Sequence, residues 1–152
     1  MVRVRARRVA LVLGVVAVVI VADQLTKTWA EHRLARGPMH VLGPLNLRLL
    51  YNTGFSFSLG AGHPLLVSIL AAVIAGGLLV YALVTSPVGR SVACALVVGG
   101  AFSNLADRVF RHHHGAVIDF ISLPHWPVFN VADACITVGV LLLIVQGVRA
   151  GR

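Results

Sequence analysis

Acidic residues are scarce in this chain. Of 152 residues only five are Asp or Glu, against thirteen Lys or Arg, and a single lysine, Lys27, stands among those thirteen. Charged residues of both signs together make up 12%, roughly half of what a soluble domain carries. The hydrophobic share is 58% and the mean hydropathy +0.90. These values exclude an ordinary soluble domain and place the chain in the membrane class, with length for one domain. The net charge of +8 does not indicate a nucleic-acid partner. Basic residues stand singly between apolar runs, except Arg3, Arg5, Arg7 and Arg8 at the N-terminus, and no basic stripe is interleaved with aromatics.

Four uncharged runs are present: residues 9–22, 64–89, 91–106 and 134–148. A spanning helix needs about 20 residues to cross roughly 30 Å of hydrocarbon. Runs one, three and four are shorter than that, so each must draw flanking residues into the bilayer. The predicted spans are roughly 9–27, 64–86, 91–109 and 129–148, in a single integral membrane domain covering 1–152. Each short run has an aspartate at one end: Asp23 after the first, Asp107 after the third, Asp133 before the fourth. These carboxyls are expected about one turn below the membrane surface.

The N-terminal arginine cluster puts the N-terminus in the cytoplasm by the positive-inside rule. Four spans return the C-terminus to the same side. Asp23, Asp107 and Asp133 then share the outer face, and reversing the protein would move all three together. Residues 23–27 follow the first run where a small-residue cleavage site would stand in a signal peptide, so that run is expected to be a retained helix. Cys94 and Cys135 fall toward opposite faces, beyond the roughly 7 Å Cα separation a disulfide allows; both read as packing residues.

The first outer connection, roughly 27–63, opens with Thr28–Leu34, expected as a short interfacial helix with Trp29 at headgroup depth. Residues 45–50 and 55–59 read as extended, separated by Tyr51-Asn52-Thr53-Gly54 with turn chemistry. A small β-sheet on the outer leaflet is expected. The second connection, roughly 111–129, holds three adjacent histidines, His112 to His114, then Asp119 between Ile118 and Phe120.

The five acids are Asp23, Glu31, Asp107, Asp119 and Asp133. Four belong to the outer-face group, where a carboxylate is costly to bury. Two carboxyls close together in a low-dielectric site share a proton, leaving one base and one acid. That is the chemistry of an aspartyl protease, with water attacking a peptide carbonyl and the leaving amine protonated. Asp119 and Asp133 are the best pair, because a short connection can bring them face to face. Asp107 is followed at once by Arg108 and reads as a paired, structural acid, and Asp23 as a tether for the first helix. Asn52, Asn104 and Asn130 stand ready to hydrogen-bond a carboxyl or substrate backbone; each also fits a turn or cap.

Five ordered segments now carry a resemblance: Asp23-Gln24-Leu25-Thr26-Lys27, residues 51–57 (YNTGFSF), residues 99–108 (GGAFSNLADR), residues 115–120 (GAVIDF) and Phe129-Asn130-Val131-Ala132-Asp133. They resemble the motifs of signal peptidase II. The resemblance implies a four-helix bundle in the bacterial plasma membrane. It also implies a membrane aspartyl endopeptidase that removes signal peptides from diacylglyceryl-modified prolipoproteins just before the lipidated cysteine. The implied catalytic residues are Asp119 and Asp133, supported by Asp23, Asn52, Asn104, Asp107, Arg108 and Asn130. No cofactor is implied, and a monomer in contact with membrane lipid is expected. The chain departs from the family pattern at Ser103, where glycine is usual, at Ser56, where alanine is usual, and in the short connection between Asp119 and Asp133. Ser103 is expected to alter close helix packing.

Two other readings compete. A zinc protease fits poorly, because adjacent histidines on a strand alternate faces and no H-E-x-x-H motif is present. A proton or ion carrier should place acids through the membrane, whereas the inner half has none.

Overall fold

The computed structural model describes residues 2–54, 64–84 and 87–151, without the side chains of residues 2–4 and 64. The element order is α1 (Val2–Leu34), β1 (Met39–Leu42), β2 (Leu45–Asn52), α2 (Pro64–Val84), α3 (Val88–Phe110), β3 (Val117–Ser122) and α4 (Val131–Ala150). Four of these are helices long and apolar enough to cross a membrane. The expected strand at 55–59, with Ser56, lies outside the described residues.

Helix α3 is the hub. It packs against α1, α2 and α4 and is the most buried of the four. Small residues let the backbones approach, as is common where helices meet in lipid. A methyl group added at Gly100 would lie 2.5 Å from the Ala132 carbonyl oxygen on α4, and one at Gly139 would lie 2.7 Å from that of Ala93 on α3. The faces of α1, α2 and α4 turned away from α3 are apolar and exposed, with Val18, Val73 and Ile144 among them, as lipid contact requires. Both cysteines are free.

The interfacial segment Thr28–Leu34 is helical, but it is not a separate element. It is the last two turns of α1, which runs unbroken for 33 residues, about 50 Å. No proline stands before Pro38, and after Gly14 no glycine interrupts the chain before Gly37. The extension carries the sheet: Ala30 and Leu34 are buried with Phe120, against Leu47, Leu49 and Ile121.

The sheet has three antiparallel strands in the order β1-β2-β3. The β2–β3 register sets Leu50 opposite Asp119 and Asn52 opposite Val117. After β3 the chain doubles back. Ile121 bridges Phe129, with the Phe129 N–H donating to the Ile121 oxygen at 3.0 Å and the Ile121 N–H returning a bond at 2.8 Å. This closure makes the short connection work, because Asn130 then caps α4 directly beside the start of β3.

Candidate active site

Asp119 lies on β3 and Asp133 in the first turn of α4. Asp119 is 2% exposed. Asn130 joins the two. Its side chain and Asp133 form a reciprocal capping box: the Asp133 N–H donates to Asn130 Oδ1 at 2.8 Å, and the Asn130 N–H donates to Asp133 Oδ2 at 3.3 Å. With its oxygen committed to the helix, the Asn130 carboxamide turns its nitrogen outward. That nitrogen donates to Asp119 Oδ1 at 2.7 Å, and also faces the Ile118 oxygen and Asn104 Oδ1.

The other two asparagines are oriented by the same logic. Asn52 Oδ1 accepts from the Gly54 N–H at 2.9 Å, so its nitrogen is free to donate to Asp119 Oδ2 at 3.0 Å. Asn104 Oδ1 accepts from the Lys27 ammonium at 2.8 Å, and its nitrogen donates to Asp133 Oδ1 at 2.9 Å. Every carboxyl oxygen of the pair therefore receives an N–H. All three asparagines singled out in the sequence converge on the two aspartates.

Beneath them lies a buried ionic cluster. Lys27 is fully buried and sits 2.7 Å from both Asp23 and Asp107. Asp23 ties three helices together: it accepts from Ser103 Oγ on α3 at 2.7 Å and from the Ala132 N–H on α4 at 2.8 Å. Asp107 accepts from the Ile118 N–H at 3.1 Å, which pins β3 next to Asp119. It also accepts from Gln24 at 2.7 Å and pairs with Arg111 at 3.3 Å. Each buried carboxylate of this cluster thus has a cation beside it, the condition under which buried charges are tolerated.

One expectation needs correction. Asp107 does not pair with Arg108. Adjacent helical residues point about 100° apart, whereas Arg111, four residues on, shares the Asp107 face. Arg108 instead braces the Thr53-Gly54 turn, with Nη2 2.6 Å from the Gly54 oxygen, and reaches the Gly115 oxygen at 3.4 Å. Ser103, where the sequence departs from the family's glycine, is buried, and its hydroxyl donates to Asp23.

Sequence reasoning missed Lys27, Gln24 and Arg111. The i, i+4 spacing of Asp23 with Lys27 and of Asp107 with Arg111 was the signal available. The histidine cluster takes part in this network. His113 pairs with Glu31 at 2.7 Å and lies against the Tyr51 ring, centroids 4.4 Å apart. Arg111 bonds the same Glu31, fastening the end of α1 to the loop after α3.

A cavity of about 230 Å³ opens between α2, α3 and α4, with Asp119, Asp133, Asn52, Asn104 and Arg108 at its polar end. Its remaining walls are largely apolar, from Val67, Ala71, Ile74, Val97, Ala101 and Ile136. Burial, and then the Asp133 charge, push the Asp119 carboxyl up to about 7, against the opposing pull of Asn52, Lys27 and Asn130. The arrangement offers a carboxyl able to hold a proton at neutral pH beside a second one, at the mouth of an apolar chamber.

Comparison with known proteins agrees with this architecture. A family model described as signal peptidase (SPase) II matches residues 15–149. The chain is 38% identical over 150 residues to a lipoprotein signal peptidase of Paraburkholderia phymatum, covering 92% of this chain and 89% of that one. It is 41% identical over 151 residues to a lipoprotein signal peptidase of Burkholderia mallei, with the same coverage. Among solved structures it is similar to a bacterial membrane enzyme determined in meso at 2.3 Å, with TM-score 0.80, 26% identity and coverage of 91% of this chain and 87% of that one. A second such enzyme, at 1.9 Å, gives TM-score 0.74 and 28% identity, covering 89% and 90%. With apolar helices suited to a multi-pass bacterial membrane protein and a match over nearly its whole length, the chain belongs to the signal peptidase II family and is a protease of lipoprotein processing.

Proposed function

We propose that the protein cleaves diacylglyceryl-modified prolipoproteins just before the lipidated cysteine, using Asp119 and Asp133 as an aspartyl dyad. The observation that carries this is the Asn130 bridge, which holds both carboxyls at one end of an apolar cavity. Below about pH 7 Asp119 carries the shared proton and Asp133 is the base. Asp133 takes a proton from water as its oxygen attacks the scissile carbonyl, while Asp119 donates to the carbonyl oxygen. Collapse of the tetrahedral intermediate breaks the C–N bond, and the departing amine takes up a proton from the dyad.

The same reading sets the topology. Both termini are cytoplasmic, the spans run roughly 9–27, 64–86, 91–109 and 129–148 in one domain, and the dyad faces outward. A lipidated cysteine is anchored at that depth, and the apolar walls of the cavity suit its acyl chains and the signal helix. The protein acts as a monomer. Arg108, Asn52, Asn104 and Asn130 position substrate and dyad, and Asp23 and Asp107 hold the helices that carry them. Purified protein incubated with a diacylglyceryl-modified precursor and with the same precursor unmodified tests this. Cleavage of the modified form alone is expected; equal cleavage of both would remove the lipid from the specificity.

A further inference from the structure

Lys27 has three N–H donors and no acceptor. Two are spent on Asp23 and Asp107, at 2.7 Å each. Those two contacts suffice to fasten α1 to α3 and, through Asp23, to α4. The third is aimed elsewhere, at Asn104 Oδ1, 2.8 Å away. A carboxamide facing an ammonium must present its oxygen, so the opposite end of Asn104 must be the nitrogen. That nitrogen is the one bonded to Asp133.

We infer that Lys27 is a positioning residue for the reaction, setting the Asn104 carboxamide so that an N–H and not an oxygen faces the Asp133 carboxylate. This rests on the dyad reading above. The alternative orientation is close at hand. Asp23 and Asp107 each lie 2.7 Å from the Nζ that Asn104 meets at 2.8 Å, so without the ammonium these carboxylates would lose that cation and would attract the Asn104 N–H in its place. The amide would then turn its oxygen toward Asp133, setting acceptor against acceptor at the base. The Asn130 nitrogen also touches Asn104 Oδ1, at 3.1 Å, but it is neutral and divided among several acceptors. A charge-assisted bond is roughly twice as strong. The fully buried cation therefore acts on the base through one intervening side chain, without touching the dyad.

Asn104→Asp is the direct test, because it keeps an oxygen for Lys27 and so preserves the ionic cluster. At pH 7.5 its kcat on a lipidated precursor is expected to fall roughly 10–100-fold, as for a misplaced catalytic group, with KM within about threefold of wild type. Activity should recover as the pH is lowered, because a protonated carboxyl at position 104 can donate to Asp133 as the amide does. A wild-type kcat and pH profile, or an equal loss at every pH, would overturn the inference. A double-mutant cycle on kcat supplies the second arm. Lys27→Met should add no further loss in an Asn104→Ala background; additive losses would place Lys27 outside this route. If Lys27→Met fails to fold, Asn104→Asp decides alone. Asp119→Asn and Asp133→Asn run alongside keep the two readings apart. Turnover by either defeats the dyad, whereas two inactive variants with an unchanged Asn104→Asp profile defeat only the role of Lys27.

Discussion

The side-chain nitrogen of Asn130 lies 2.7 Å from Oδ1 of Asp119, eleven residues back along the chain. The same side chain caps the helix that carries Asp133. One residue thereby fixes a strand residue and a helix-tip residue relative to each other, and its loss should be felt twice. Asn130→Ala should lower stability by about 1 kcal/mol through the missing cap, and lower kcat about 10²-fold through a displaced carboxyl. Thermal unfolding in detergent and steady-state cleavage separate the two effects. An Asn130→Ala enzyme with wild-type kcat would show that the bridge does not set the dyad.

The pH dependence follows from Asp119. Its carboxyl, held at about 7 by burial and by Asp133, keeps a proton below that pH and loses it above. Where that proton is required, kcat/KM declines as pH rises through about 7, and the slope is that of a single ionisation. A profile of kcat/KM between pH 5 and 9 reads this directly. A flat profile from pH 6 to 9 would mean that the ionisation of Asp119 does not matter to turnover.

How the sequence spoke for these two positions is instructive. Asp133 was legible because an uncharged run too short to span drew its flanking acid toward the membrane surface, Asp119 because it stands between Ile118 and Phe120 a short connection away, and both because they fall within five motifs in a fixed order. The geometry that joins them was not legible. The Ile121–Phe129 bridge uses backbone groups alone, which leave no mark in composition. Asp107 was assigned to Arg108 by adjacency, although a helix presents Arg111 on the same face. The continuation of α1 through Leu34 was hidden because an aspartate and a lysine near a membrane edge look like the end of a span. Here they pair with each other inside the bundle. Leu42-Gly43-Pro44-Leu45 held an unread hairpin signal, with Gly43 at φ +53°, that would have revealed β1.

Helix approach makes a third prediction. A methyl group at Gly100 would meet Ala132 and Ile136 at under 3 Å, at the root of the turn bearing Asp133. Gly100→Ala should cost about 1–3 kcal/mol of stability through overpacking and should also depress kcat, because α4 must shift. Gly76→Ala, on α2 with open space around it, should leave kcat unchanged and should not lower stability. Unfolding and turnover of the two variants side by side make the comparison, and similar behaviour would contradict the packing described.

Arg111 gives a fourth. It bonds Glu31, Gln24, Thr28 and Asp107, so Arg111→Ala should remove roughly 1.5–3 kcal/mol and leave Asp107 with less positive charge. The folded fraction should retain most of its kcat, because Arg111 touches neither member of the dyad. Yield, thermal midpoint and activity per folded molecule check this. Normal stability with lost turnover would reassign Arg111 to the chemistry.

The central claim is that Asp119 and Asp133 act together on one water molecule. Single-turnover cleavage of a diacylglyceryl-modified precursor by Asp119→Asn and by Asp133→Asn, each first shown to insert and fold, tests it most directly. No product above background is expected from either variant. Cleavage by either at close to the wild-type rate would contradict the account.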